Sequence, residues 1–169
     1  MSLNLQFENI ANSFVQEYYT LLDSPENRTR VAHFYKTSCR LLQQLLSCLA
    51  DAVLCDLDEK ITQCKRTDRY VYTCFAKESL MTVEGLRLEG ASQILQTIQN
   101  LSFKKIHHMI TVVDAQPTID GGVLICVMGR LKIDDGSPFS FSQVFVLKAV
   151  GNSFFVENEI FRLSELKSP

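Results

Sequence analysis

The sequence predicts an α+β domain in which helices of the N-terminal half pack on one face of a mostly C-terminal antiparallel sheet. Two observations carry that prediction. Apolar residues recur at three- and four-residue spacing at the start of the chain and again up to Leu101, whereas from Lys105 onward they form long β-type runs separated by turn signals. Helices first and a strand meander afterwards then place the helices together on one side of the sheet. At 169 residues, 46% of them hydrophobic and 21% charged, the chain is the size of one domain and has the means to bury a core. We read 1–169 as a single domain.

Each element has its own local reason. Phe7, Ile10, Ala11, Phe14, Val15, Tyr18, Leu21 and Leu22 lie on one helical face, so the first helix is expected over Phe7–Leu22. Ser24, Pro25 and Glu26 then supply a capping hydroxyl, a proline suited to a first helical position and an acid for the first turn, so a short second helix is expected to about Tyr35. Leu80–Glu84 reads as a short strand. Gly90 precedes a third helix, Ala91–Leu101, with Ile94, Leu95, Ile98 and Leu101 on one face. Long strands are expected at Ile106–Val113 and Val123–Leu131, joined across a Pro-Thr-Ile-Asp-Gly-Gly hairpin signal, then at Phe141–Val150 and Ser153–Leu163.

Composition narrows the function. A net charge of −2 supplies no electrostatic footprint for nucleic acid or anionic lipid. The segment MSLNLQFENI has no basic and apolar regions of a secretory signal, and the longest apolar run, LLQQLLSCLADAVLCDL, is too short to span a bilayer. A soluble intracellular protein without membrane insertion is expected. Of the six cysteines, Cys39, Cys48, Cys55, Cys64 and Cys74 are spaced nine, seven, nine and ten residues apart. Structural zinc needs closer pairs, so reduced thiols are expected, with no metal and no cofactor.

Val123 to Met128 is apolar at every position, without the alternation of a sheet that has one wet face. Helices cover only one face, and a second copy of the chain is the simplest cover for the other. A homodimer is therefore expected.

Three segments carry a resemblance. They are FENIANSFVQEYYTLLDSPENR at the start, MTVEGLRLEGASQILQTIQNLSFKKIHHMITVVDAQPTIDGG in the middle, and GRLKIDDGSPFSFSQVFVLK with NEIFRL towards the end. In that order they closely resemble the nuclear transport factor 2 family, the small carriers that return the GTPase Ran to the nucleus. The resemblance implies a cone-shaped fold whose bent antiparallel sheet and three helices enclose an apolar cavity rimmed by acids. It implies a dimer formed through the sheet face, and a place in cytoplasm and nucleus, enriched at the nuclear pore. It fails from about Thr37 to Phe75, a block the family does not have. Deleting that block would let HFYK run into AKESLMTVEG without a seam, so it reads as an in-frame insertion at about 37–75. Its first half has helical spacing, and it is read either as an added interaction element or as a tolerated insert. Ala76 to Glu84 could hold it about 26 Å from the cavity mouth.

In the family, an aromatic side chain of GDP-bound Ran enters the cavity while Ran lysines pair with the rim. By motif, the resemblance puts the rim acids at Glu84 in TVEG and Asp134 in LKIDD. A further family acid falls on Gly136, with Asp135 adjacent as its substitute. The implied cavity-lining positions are Val83, Leu101, Ile106, Phe139, Ile160 and Phe161. Val83 stands where an aromatic is typical. The implied contact with Phe-x-Phe-Gly repeats of pore proteins falls on Phe7, where tryptophan is common. Each has a structural alternative: Glu84 as a solvated strand-end charge, Asp134 and Asp135 as a turn-forming pair, Phe7 as an anchor of the first helix.

The resemblance therefore implies a non-catalytic Ran-GDP carrier that acts as a homodimer and binds pore repeats. A dimeric adaptor without Ran binding is one alternative. A poorly folding splice product is another. The third is an isomerase- or dehydratase-type enzyme of the same cone fold, for which Asp114 with His107 or His108 would be the proton-transfer pair.

Overall fold

The computed structural model describes residues 6–36 and 79–164. The insertion expected at about 37–75 lies outside them. Helix α1 spans Phe7–Asp23, within a residue of the sequence expectation, and buries Ala11, Phe14, Val15, Tyr18, Tyr19, Leu21 and Leu22 along one stripe. Pro25 lies two residues past its end, where it cannot continue the helix.

The second helix departs from expectation. Ser24 to Asn27 form a turn in which the amides of Asn27 and Arg28 both donate to the Ser24 carbonyl, and a 3₁₀ helix follows over Arg28–Phe34. The Ser24 hydroxyl takes the Asn27 side-chain amide at 3.1 Å and caps nothing. Only Val31 and Phe34 are apolar and buried there, three residues apart, and that spacing suits the tighter helix. Helix α2, Gly90–Gln99, buries Ala91, Ile94 and Ile98. Gly90 has φ +79°, a backbone conformation open to glycine, and its amide donates to the Ser79 carbonyl at 2.8 Å.

Six strands form one sheet: β1 Leu80–Val83, β2 Leu86–Glu89, β3 Ile106–Pro117, β4 Val123–Ile133, β5 Phe139–Val150 and β6 Ser153–Ser164. Their order is β2-β1-β6-β5-β4-β3. The expected antiparallel sheet is corrected in one place. β1 runs parallel to β6, with Met81 opposite Glu159 and Val83 opposite Phe161, so the sheet is mixed. The β1–β2 hairpin was also not foreseen, because β2 is four residues long with Leu88 alone buried, too little to show a period.

The register explains the apolar run in β4. Val123, Ile125, Val127 and Leu131 face the helices and join Phe141, Phe145, Leu147 and Val156 in the core, whereas Leu124 and Met128 lie exposed on the far face. Leu124 pairs with Val146, and Cys126 with Val144, which in turn faces Ile160, so the far face carries a continuous apolar patch. The core itself is aromatic: the Phe145 ring centroid lies 5.0 Å from those of both Phe14 and Tyr18. Burying each such side chain contributes about 1.5–3 kcal/mol.

Two features shape the sheet beside the helices. The β3–β4 register shifts between Ile110 and Val112, a bulge of the kind that bends a strand. Opposite it lies Gly129, where a Cβ would sit 2.4 Å from the Met109 carbonyl oxygen and 2.9 Å from the Phe141 ring. The bend and the close approach need a residue without a side chain there.

Candidate functional site

Between α2, β1 and the inner face of the sheet lies a cavity of about 190 Å³. Val83 and Glu84 border it from β1 and its turn, and Ile98, Leu101 and Phe103 from α2 and the loop after it. Ile106, Leu131, Ile133, Phe161 and Leu163 come from β3, β4 and β6. Period-two alternation puts these strand residues on the helix-covered face, and the cavity exists where the helices leave that face uncovered.

Of the six positions expected to line it, Val83, Leu101, Ile106 and Phe161 do so, and Glu84 stands with them. Phe139 and Ile160 do not. Ile160 alternates with Phe161 and points to the far face, 49% exposed. Phe139 is the first residue of β5 and is 44% exposed, beyond the cover that buries Phe141 two residues later.

Glu84 and Asp134 share an unusual backbone. They are the two non-glycine residues with positive φ among the described residues, at 49° and 46°. That conformation costs a side-chain-bearing residue roughly 1–2 kcal/mol, and each carboxylate offsets the cost by accepting from backbone amides. Glu84 Oε1 takes the Leu163 amide at 2.5 Å, while the Glu84 amide donates to the Phe161 carbonyl at 3.2 Å. Asp134 Oδ1 takes the amides of Lys104 and Lys105 at 3.1 and 2.8 Å, and its own amide donates to the Lys105 carbonyl at 2.9 Å. Asp134 thus ties the β4–β5 turn to the strand entering β3. Asp135, next in that turn, is exposed.

Phe7, the first residue of α1, is half-buried against the core cluster. The histidines part company with Asp114. His108 is buried on the inner face, where its Nδ1 meets Asp23 Oδ1 at 2.5 Å and its amide donates to Asp23 Oδ2 at 2.8 Å. His107 is exposed, 3.6 Å from the same carboxylate. Asp114 is exposed opposite Cys126, about 20 Å further along β3 at the usual strand rise. The proton-transfer pair is therefore not assembled, because six residues of extended strand separate its members.

Sequence reasoning missed the group beneath the cavity. Glu159 is 2% exposed. Its Oε1 accepts from Gln143 Nε2 at 2.6 Å and from the Tyr18 hydroxyl at 3.1 Å, and its Oε2 from the Tyr35 hydroxyl at 2.6 Å. Tyr19 donates to Gln143 Oε1 at 2.6 Å and completes the chain. No ion pair to Glu159 occurs among the described residues, so burial pushes its carboxyl up to about 7 against the pull of the three donors. Burial and the nearby carboxylate also raise Tyr18, Tyr19 and Tyr35. The parity of β6 could have revealed Glu159 from one side, since it alternates onto the same face as Phe161 and Leu163, whereas an irregularity at Glu157 breaks its parity with the core residue Val156.

A family model described as the nuclear transport factor 2 (NTF2) domain matches residues 59–163. A protein of Caenorhabditis elegans named "Probable nuclear transport factor 2" is 34% identical over 164 residues, 96% of each chain. The Saccharomyces cerevisiae protein named "Nuclear transport factor 2" is 31% identical over 164 residues, 96% of this chain and 98% of that one. Among solved structures, nuclear transport factor 2 from Cryptosporidium parvum superposes with a TM-score of 0.69 at 28% identity, covering 97% of this chain and 99% of that one.

Proposed function

The chain belongs to the nuclear transport factor 2 family, and from that premise we propose that it is a nucleocytoplasmic carrier of GDP-form Ran. The observation that carries the reading is an apolar cavity the size of one aromatic ring with Glu84 at its edge. Glu84 makes no salt bridge with any of the described residues. A guest ring buried between Val83, Leu101, Ile106 and Phe161 gains about 1.5–3 kcal/mol. Lysines paired to Glu84, Asp134 and Asp135 add about 0–1 kcal/mol each. The ring supplies most of the affinity, and the acids supply orientation and encounter rate. The role is non-catalytic, in keeping with relatives named for transport.

The carrier acts as a homodimer, with the far face of the sheet as its interface. Leu124, Met128 and Ile160 are exposed there beside Val144 and Val146, an apolar surface suited to a matching copy. Phe7 contacts Phe-x-Phe-Gly repeats of pore proteins with its uncovered edge. The protein then cycles between cytoplasm and nucleus and concentrates at the pore.

Two observations favour a second reading, a dimeric adaptor without Ran binding. Val83 offers a guest ring less surface than an aromatic wall, and one oxygen of Asp134 is already held by the Lys104 and Lys105 amides. Import of fluorescent Ran-GDP into nuclei of permeabilised cells separates the two. The carrier restores nuclear accumulation when added to import-depleted cytosol, and the adaptor leaves Ran outside.

A further inference from the structure

The geometry points to a proton-coupled cavity: seating an apolar ring above Glu159 is accompanied by uptake of a proton at that carboxylate, so acidification tightens the guest and alkalinisation loosens it. The inference rests on the reading of the cavity as a ring-binding site and adds a regulation to it.

Three observations support the coupling. Glu159 and Gln143 both border the cavity, and each is 2% exposed. A ring seated there excludes solvent from the space beside the carboxylate, and desolvation disfavours the charged form of a carboxylate. Among the described residues that face Glu159, none is a cation that could hold it ionised. Tyr18 comes from α1, Tyr35 from the end of the 3₁₀ helix and Gln143 from β5. Tyr19 acts through Gln143, and His108 of β3 borders the same cavity but is engaged by Asp23.

The network also has an arrangement for each protonation state. When Glu159 is ionised, Tyr18 donates to Oε1 and Tyr35 to Oε2. The two tyrosine hydroxyls lie 3.0 Å apart, and either can donate to the other. When a proton from solvent arrives on Oε2, it can be donated to the Tyr35 oxygen. Tyr35 then turns to donate to Tyr18, and Tyr18 goes on donating to Oε1. Every hydroxyl keeps a partner, so protonation leaves no orphaned buried group behind. The carboxyl already titrates near 7, which brings the exchange into an ordinary pH range.

The test uses benzene, which does not titrate and suits a cavity somewhat larger than the ~150 Å³ apolar one known to bind it. Its affinity for the full chain is measured by NMR from pH 6 to 9, in parallel with Glu159→Gln. A rise of one unit in the Glu159 pKa on binding corresponds to an affinity up to about tenfold higher at pH 6 than at pH 9. The expected result is a drop of that kind in the native chain and a flat profile in Glu159→Gln. Should the variant fail to fold, the Glu159 carboxyl resonance of the native chain is titrated with and without benzene, and its midpoint should move up when benzene is present. The inference is overturned by a flat native profile, by the same slope in Glu159→Gln (which would assign it to His108), by an unmoved midpoint, or by absence of benzene binding. Ran-GDP titrated alongside keeps the two readings apart. Coupled benzene binding without Ran binding would sink the carrier and leave the coupling, and uncoupled Ran binding would do the reverse.

Discussion

Glu84 Oε1 accepts the Leu163 amide at 2.5 Å, so the acid at the cavity mouth is fixed across the start of β1's turn to the end of β6. One oxygen holds the backbone and the other is left for a partner. Glu84→Gln keeps an acceptor for the Leu163 amide, whereas Glu84→Ala loses it. Urea unfolding should find the glutamine variant within about 0.5 kcal/mol of native. The alanine variant should be weaker by about 1 kcal/mol, the worth of one such hydrogen bond. Equal stability of the two variants would mean that the contact holds nothing.

Phe161 and Ile160 are neighbours in sequence and face opposite sides of the sheet. Phe161 stacks on Phe141 with ring centroids 5.7 Å apart and forms a cavity wall. Phe161→Ala should cost about 2–3 kcal/mol of stability, less than a fully buried phenylalanine, and weaken Ran-GDP binding at least about tenfold by loss of ring contact. Ile160→Ala should leave Ran-GDP affinity within about twofold, as expected of a residue outside the site. Calorimetric titration of both variants reads the contrast, and equal losses would contradict the placement of the cavity.

Met128 lies at 43% exposure, in register with Ser142 and on the same far face as Leu124 and Ile160. Met128→Glu leaves the helix-covered core untouched and sets a charge in the proposed interface, opposite its own symmetry mate's surroundings. Sedimentation velocity should show the native chain as a dimer and the variant as a folded monomer. A dimer that survives the charge would place the interface elsewhere.

The carboxyl of Glu159 is raised from an ordinary 4.5 to about 7, which fixes the sign of a stability profile. The folded state holds this proton more tightly than the unfolded chain. Its contribution is fully present below about pH 4.5, is lost as the pH rises towards 7, and stays lost above that. Glu159→Gln cannot ionise, so its stability relative to native should climb across that interval by roughly 2–3 kcal/mol and then level off. Thermal unfolding at pH 5, 6, 7 and 8 measures it, and a constant difference would mean that the carboxylate is better solvated than its burial implies.

Helices α1 and α2 and the long strands were legible in the sequence because apolar residues mark each of them over about ten residues or more, with a helical period, an alternation or an unbroken run. α1 and β6 fall within about a residue of expectation for that reason. What was not legible is what depends on contacts far apart in the chain. The 3₁₀ form of Arg28–Phe34, the four-residue β2 and the parallel pairing of β1 with β6 leave no local signature. At the site, motif matching found Glu84, Val83, Leu101, Ile106 and Phe161, which the fold brings together. It misplaced Phe139 and Ile160 by ignoring strand ends and parity. It passed over Glu159 because an acid in VENEIF, two residues after Glu157, looks like a surface charge until Tyr18 and Tyr35, from 141 and 124 residues away, are seen to converge on it.

The carrier reading is tested most directly by titrating the chain with Ran loaded with GDP and with GTP, using Glu84→Lys as the charge-reversed control. Binding to the GDP form alone, lost in Glu84→Lys, is the predicted result. A folded dimer that binds neither form, or binds both alike, would contradict it.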